Sequence, residues 1–512
     1  MSNTCMIGVD MGTAGIKAGI FDSEGTLLAD TYEESELKRP GPGRVEQDLD
    51  NIFNSAVSCI ADIVSKSKVD PGNVASLAFS SQMSGIGAIN SEWEPAMPYD
   101  SWLDTRCEPY IFQMEKTAGK RVTELAGCPP TYAHGPKILW WKEERPEVYS
   151  KIDKFITPYA YVAGKMVGLP SEEAYIEPTC LHFTCLSDTE AQRWSKELID
   201  EFQIDSEKLP RIIDSQEIIG GLTPNAAKAT GLLEGTPVVA GAGDQAAGAL
   251  GAGIVEPGVA FDVAGTASVF SACVDNFKPD IDNRVVLAAP SLVEGQYYAL
   301  AFINGGGMNL RWFRDELAGE NEGDAYKVLD QKAKERDPGS SGLFFLPHVQ
   351  GRVCPPEPYL RGLWLGFTWG HDKPSFYRSI LEGIAYEYAY YLDIERDLHP
   401  SLGFSEVRAI GGGAASDFWN QIKADILGIP YRTIDREEVG ILGDAILAGA
   451  SVGIYDDLAE TGRSLVSPVD LLKPRDEFHD FYRPYVDFYQ RLLEQAGGIF
   501  EELTELPSNV SD

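Results

Sequence analysis

The chain has 512 residues, 44% hydrophobic and 24% charged, a composition that excludes disorder and exceeds what a single hydrophobic core usually serves, so two large domains are expected. Its 43 basic residues against 78 acidic ones leave a net charge of −35, which argues against nucleic acid or an anionic membrane surface as a partner. A phosphate-bearing ligand would need local help from Mg²⁺, backbone dipoles or a few placed cations.

The opening MSNTCMIGVDMG has no basic segment followed by a long apolar run, and no stretch is long enough to span a bilayer, so a cytoplasmic location is expected. Residues 5–9 read as a buried strand ending on Asp10, turning through Gly12-Thr13 into a second strand over 16–21 and, after Asp22-Ser23-Glu24-Gly25, a third over 26–31. This is an antiparallel meander rather than a dinucleotide-binding opening, in which a helix would follow the glycines. Asp10 beside Gly-Thr suits a place where phosphates and Mg²⁺ meet, because a carboxylate can hold the metal's water shell; a plain hairpin turn is the alternative.

Ile52, Phe53, Ala56, Val57, Ile60, Ile63 and Val64 recur at helical spacing, and a strand follows over 74–80. Next come the polar loop Gln82-Met83-Ser84-Gly85 and the segment Trp102-Leu103-Asp104-Thr105-Arg106, whose Trp, Asp and Arg share one side if the backbone is extended. An apolar plate, a charged acceptor and a charged donor suit a polyhydroxylated ligand. The alternative is a surface Asp104–Arg106 pair with Trp102 in the core. Helices are expected over 107–125, 136–144 and 194–202. Cys180, His182 and Cys185 lie close together but match no standard zinc spacing, so the eight cysteines are read as reduced structural thiols.

A strand over 237–241 delivers Asp244 into the small-residue run 241–253. Small neighbours let backbone and substrate approach an acid closely; the alternative is a helix cap in an interdomain loop. A strand over 259–264 then meets Gly265-Thr266-Ala267-Ser268 and a strand over 269–274, repeating the strand, Gly-Thr turn and strand of the N-terminus and suggesting two similar halves. Asn304-Gly305-Gly306-Gly307 opens a helix over 308–317, and Gly411-Gly412-Gly413 separates a strand over 407–410 from a helix over 417–427, leaving a surface on which a nucleoside can lie. Residues 437–453 form a Gly- and Ala-rich helix fit for close packing. In the last helix, over 477–503, Phe481, Tyr485, Phe488 and Leu492 form an apolar stripe read as core.

Taken in order, Asp10-Met11-Gly12-Thr13, Trp102-x-Asp104-x-Arg106, Gly243-Asp244-Gln245, Gly265-Thr266-Ala267-Ser268 and Gly411-Gly412-Gly413-Ala414 resemble the FGGY carbohydrate kinases nearly end to end. The resemblance implies an α/β fold of two actin-like ATPase (ribonuclease H-like) domains with a ligand cleft between them. The divisions expected are an N-terminal domain over 1–246 with sugar site and first phosphate loop, a nucleotide-binding domain over 247–475, and a C-terminal helix and tail over 476–512. It further implies ATP-dependent phosphorylation of a sugar or polyol, most like the xylulokinases, with a pentulose such as D-xylulose foremost and ribulose, gluconate, erythritol or a signalling polyol as alternatives. A sensor without catalysis on the same fold, or an ATPase acting on proteins, are the rivals.

Carried over by position, Asp244 looks like the catalytic base and Asp10 the Mg²⁺ carboxylate. Gln82, Met83, Ser84, Trp102, Asp104, Arg106 and Gln245 would join Asp244 around the substrate. Gly12, Thr13, Lys17, Gly265, Thr266, Gly306, Gly412, Gly413 and Asn420 would serve ATP. The expected ligands are a small sugar and MgATP, with self-association as a homodimer and no nucleic acid or membrane. Departures from the family pattern are His134 ahead of the Lys137-x-x-Trp140 core, Phe367 and Ser375 in the second signature, and Ser84 where xylulokinases carry His.

Overall fold

The computed structural model describes residues 4–265, 267–319 and 324–506. Strand β1 (Cys5–Met11) pairs antiparallel with β2 (Gly15–Asp22), which pairs antiparallel with β3 (Leu27–Glu34), as the alternation of turns and apolar runs predicts. On its other edge β1 is parallel to β4 (Val74–Ser81), and the sheet continues through β5 (Ile218–Gly221), β6 (Pro237–Val239) and the two-residue β7 (Ala242–Gly243). Helix α1 (Leu49–Ser67) covers one face; the Asp48 carboxylate caps it by accepting from the N–H groups of Asp50 and Asn51.

The C-terminal sheet repeats this plan. β8 (Val259–Ala264), β9 (Ser268–Val274) and the outer strands β10 (Leu287–Pro290) and β11 (Tyr297–Ile303) are antiparallel neighbours, while β12 (Glu406–Ile410) runs parallel to β8 and β13 (Tyr431–Ile434) parallel to β12, with β14 (Pro468–Leu472) at the edge. In both sheets the first strand pairs antiparallel with the second and parallel with a later strand, so the short sequence repeat reflects a topological one. The residues described form two mixed α/β domains of the actin-like, ribonuclease H-like kind.

Between the sheets lie the short helix α3 (Asp244–Gly251) and the helix α6 (Val439–Ser451). One apolar core joins Met6, Phe21 and Ala78 of the first sheet to Ala246–Leu250, Ile441–Ala448, and Phe261, Cys273 and Tyr298 of the second. Glycine makes this contact fit: a Cβ on Gly443 would come within 1.8 Å of the Ala247 carbonyl oxygen, and one on Gly251 within 1.8 Å of the Val439 oxygen. The two helices therefore touch backbone to backbone.

Separate cores fill each domain, the second around α4 (Lys373–Leu398), α5 (Asp417–Leu427) and α7 (Asp476–Thr504). On α7 the expected stripe is displaced by one position: Tyr482, Val486, Tyr489 and Leu493 are buried, whereas Phe481 is 40% and Phe488 37% exposed. The sequence is aromatic on adjacent positions, so spacing alone does not choose the face. Tyr482 and Tyr489 win because their hydroxyls find the buried carboxylates of Glu382 (2.7 Å) and Glu387 (2.6 Å). Among the described residues no helix is long and apolar enough to cross a membrane.

Candidate active site

Sheet register assembles the acidic centre. In the β1–β4 pairing Asp10 stands beside Ser80, and in the β4–β7 pairing Gly243 stands beside Ser81, so the residue after β7, Asp244, enters next to the end of β1. Asp244 is the first residue of α3. The cap position belongs to Gly243, which makes no side-chain cap bond, so the capping alternative does not describe Asp244. Burial, and then the charge of Asp10, push the Asp244 carboxyl up to about 7. Asp10 is pushed up to about 6 by burial, with Lys17 opposing and Glu438 reinforcing the shift.

A third carboxylate comes from α6. Asp444 is fully buried, accepts 2.8 Å from the Ser80 hydroxyl on one oxygen, and has no hydrogen-bond partner on the other; burial and the charge of Asp10 raise its pKa well above the ordinary value. Lys17, opposite Asp10 on β2, donates to both oxygens of Glu438 at 3.0 and 2.7 Å, just ahead of α6. Asp444 sits in a run of Gly, Ala, Ile and Leu that reads as packing, and only the fold reveals it as part of this centre.

Asp244 is held from behind. Its neighbour Gly243 donates its N–H to the Thr179 hydroxyl (2.8 Å), which donates to the Glu177 carboxylate (2.6 Å); Ser215 donates to the other Glu177 oxygen at 2.7 Å. Glu177 is completely buried, which raises its pKa against these stabilising bonds. Glu177 and Thr179 fall in a segment with no periodic signal, and nothing in the sequence marks them.

The loop Gln82–Gly85, which follows β4, is fixed by His134, whose Nε2 lies 2.8 Å from the Met83 carbonyl oxygen. Burial lowers the His134 pKa to about 4, so the ring is neutral at pH 7 and donates that bond. His134 opens helix α2 (His134–Glu144), and Lys137 one turn later donates to the carbonyls of Ser101 (2.8 Å) and Asp104 (3.1 Å). Gln82 donates to Gln47 (2.6 Å), and the Trp102 indole donates to the Thr13 hydroxyl (2.7 Å).

The segment 101–106 is a set of turns, not the extended run expected, and this changes what its charges do. The Asp104 carboxylate is buried and accepts from the Val45 N–H (2.7 Å), the Arg106 N–H (3.0 Å) and the Arg106 guanidinium (2.6 Å), which also reaches Glu46 (2.6 Å) and stacks 5.0 Å from the Trp140 ring. Bound to one another, Asp104 and Arg106 brace the loop, while the buried Arg106 Nη1 makes no hydrogen bond; Trp102 is half-buried. Gln245 lies beside Asp244, with its amide 3.5 Å from that carboxylate, and Met83 packs against the Gly243 backbone.

The C-terminal half offers backbone rather than side chains. Gly306 begins the helix Gly306–Trp312, so close to Ser268 that a Cβ would meet its hydroxyl at 1.9 Å. Gly265 donates its N–H to the Val263 and Ala267 carbonyls, and Thr266 lies outside the described residues. Gly411, with φ +78°, turns the chain out of β12; beyond it a Cβ on Gly412 would meet nothing within 4 Å, whereas one on Gly413 would strike Ala264 and Trp419. Asn420 of α5 donates to the Ala414 carbonyl at 2.8 Å and so holds this glycine turn. No three His, Cys, Asp or Glu residues among those described form a ready-made cage for a metal; Cys180, His182 and Cys185 are each buried.

The duplicated domains and the carboxylate-lined centre between them define the actin-like ATPase class. Residues 5–251 match the N-terminal domain of the FGGY family of carbohydrate kinases and residues 261–452 its C-terminal domain, and the chain belongs to that family. It is 27% identical over 507 residues to a xylulose kinase of Staphylococcus epidermidis, covering 98% of this chain and 99% of that one. It is 28% identical over 464 residues to a gluconokinase of Bacillus subtilis, covering 88% of each chain. Among solved structures, ligand-bound xylulose kinase from Lactobacillus acidophilus superposes with a TM-score of 0.89 at 23% identity, covering 98% of this chain and all of that one. A sugar kinase of this family takes its phosphate from ATP, generally with Mg²⁺.

Proposed function

We propose that the protein transfers the γ-phosphate of ATP to a hydroxyl of a small sugar or polyol, with a ketopentose such as D-xylulose as the foremost acceptor, in the cytoplasm. The observation that carries the reading is Asp244: a half-buried carboxyl whose pKa is pushed to about 7, close enough to Asp10 to feel its charge and next to Gly243, against which Met83 packs. Phosphoryl transfer asks mainly for positioning and charge stabilisation, with one base to accept the hydroxyl proton, and a base poised near neutrality suits that task. Asp244 takes the proton from the acceptor hydroxyl. Gln82, Met83, Ser84, Trp102 and Gln245 orient the acceptor, while Asp104, Arg106, His134 and Lys137 keep their loops in register.

The donor set fits Mg²⁺. Asp10 presents a carboxylate whose nearest side-chain donor, Ser80, is 3.5 Å away, and Asp444 beneath it keeps an oxygen without a partner. One or two hard carboxylate oxygens completed by phosphates and water are what this ion prefers, which agrees with the lack of an all-protein cage. Bound there, Mg²⁺ neutralises phosphate charge. Gly12 and Thr13 with Gly265 and Thr266 would face the phosphates, Lys17 would supply a cation, and Gly306, Gly412, Gly413 and Asn420 would form the nucleoside surface.

The xylulose reading draws on the relatives that are xylulose kinases, such as that of Staphylococcus epidermidis. Ser84 is the observation that favours a second one: a hydroxyl stands where xylulokinases carry an imidazole, and a relative named gluconokinase is of similar identity, so a sugar acid is the alternative acceptor. Coupled ADP release across ketoses, polyols and sugar acids tests both. Turnover with D-xylulose, lost in Asp244→Asn, is the expected result; turnover with gluconate alone moves the reading to the second acceptor, and no acceptor at all ends it.

A further inference from the structure

The Thr13 hydroxyl is engaged on both sides by residues of the sugar loops. An indole N–H only donates, so the 2.7 Å contact from Trp102 Nε1 makes Thr13 Oγ1 the acceptor there. The single hydroxyl proton then goes to Gln82 Oε1, at 3.2 Å. Gln82 Oε1 also receives the Ser101 hydroxyl at 3.4 Å, while Gln82 Nε2 is fixed by Gln47, 2.6 Å away, so the Gln82 carbonyl has both lone pairs occupied. Gln82 is 2% exposed, and Gln47 Nε2 in turn approaches the Thr13 carbonyl at 3.5 Å. Thr13 itself ends the turn that follows Asp10.

We propose that Thr13 is a positioning residue that couples the two substrates: an acceptor hydroxyl that donates to Gln82 Oε1 displaces the Thr13 proton, which then turns toward a phosphate oxygen while Trp102 keeps its bond to Oγ1. This rests on the sugar-kinase reading and adds an order to it. With no acceptor present, the threonine proton is held by Gln82 and the first phosphate turn lacks one donor; acceptor binding releases it. No bond is broken except hydrogen bonds: the one from Thr13 to Gln82 gives way to two, sugar to Gln82 and Thr13 to phosphate, and the sugar hydroxyl and the phosphate oxygen each give up a bond to water.

The test uses the magnesium complex of a non-hydrolysable ATP analogue, with binding measured by calorimetry in the absence of sugar. Gln82→Met removes the competing carbonyl and should tighten the analogue on the order of five- to tenfold, the range of ordinary coupling between sites. In the Gln82→Met background Thr13→Val should erase that gain and Thr13→Ser should retain it, a pattern that a general loosening of the loop would not produce. Gln82→Ala serves as a second route to the same release if the methionine variant melts early. Saturating D-xylulose should tighten the analogue in the wild type and have no such effect in Gln82→Met. Unchanged or weaker sugar-free binding in both Gln82 variants, or a gain that survives Thr13→Val, overturns the relay. Because the first readout needs no sugar, an enzyme that phosphorylates no sugar tested would sink the functional reading without touching this result.

Discussion

The two halves of the cleft are built from different materials. On the N-terminal side, side chains do the work: Asp10, Asp244 and Asp444 converge, and Trp102, Thr13, Gln82 and Gln47 are linked hydroxyl to amide. On the C-terminal side the turns at Gly306 and Gly411–Gly413 are glycine backbone, and the nearby charges are buried. Lys423 and Asp262 form a fully buried ion pair near the end of β8, with the Tyr388 hydroxyl donating to Asp262 at 2.9 Å. Chemistry needs titrating groups near the reacting atoms, whereas a nucleoside surface needs close approach with nothing in the way. A chain with a net charge of −35 can hold a triphosphate only if its acids are neutralised or hidden.

The sharpest way to break this contrast is Asp244→Asn, which keeps shape and removes the base; kcat should fall about 10³-fold with the fold intact, and a variant that keeps its rate would remove the acid from the chemistry. On the other side the largest effect should be on stability. Lys423→Met leaves Asp262 buried and unpaired, a loss of about 3 kcal/mol or more measured by denaturant unfolding. Gly412→Val tests the bare surface itself: the added side chain meets no protein atom within 4 Å, so stability should hold while the KM for ATP rises roughly tenfold, as a steric block on the nucleotide requires.

Proton linkage gives opposite signs for activity and stability. Asp244 must be ionised to act, so with its carboxyl near 7 the rate should drop about fivefold between pH 7 and pH 6. Stability runs the other way. Both Asp10 and Asp244 have folded pKa values above the unfolded value of 3.8, so their contribution is present at acid pH and is lost as pH rises through about 6 and 7. The melting temperature of the metal-free protein should therefore fall between pH 5 and pH 8, less steeply in Asp244→Asn. The smallest effect belongs to the periphery: Phe481→Ser, on the exposed side of α7, should change stability by less than about 0.5 kcal/mol, where Tyr482→Ala should cost several times more.

How far the sequence reveals this molecule follows the same division. The strands that carry Asp10 and run up to Gly265, and the glycine turn at 411–413, are local patterns, and they read correctly because apolar period and turn residues act within a few positions. Residues joined across hundreds of positions do not. Asp444 meets Ser80 through a contact 364 positions apart, and Glu177 supports Asp244 from a segment without regular structure. The extended reading of 101–106 failed for a related reason: the pull of Glu46 and Lys137, remote in sequence, closes that segment into turns. Ser375, atypical as a signature residue, has a local physical role that explains it, since its hydroxyl and N–H both bond to Asp372 in a capping box at the start of α4.

Helix α6 is encoded after every strand of the second sheet but the last, yet it lies against β1, β4 and α3. Cutting the gene between its two halves would thus not yield two proteins. A fragment ending near residue 251 would present the seam around Gly8 and Gly251 uncovered, with Met6 and Ala78 at its floor, while the complementary fragment would carry an almost wholly apolar helix with nothing to receive it. Mixed together, the fragments should find each other through that one helix, much as a split reporter reassembles around a single shared strand, and the shared helix would make each half the folding template of the other.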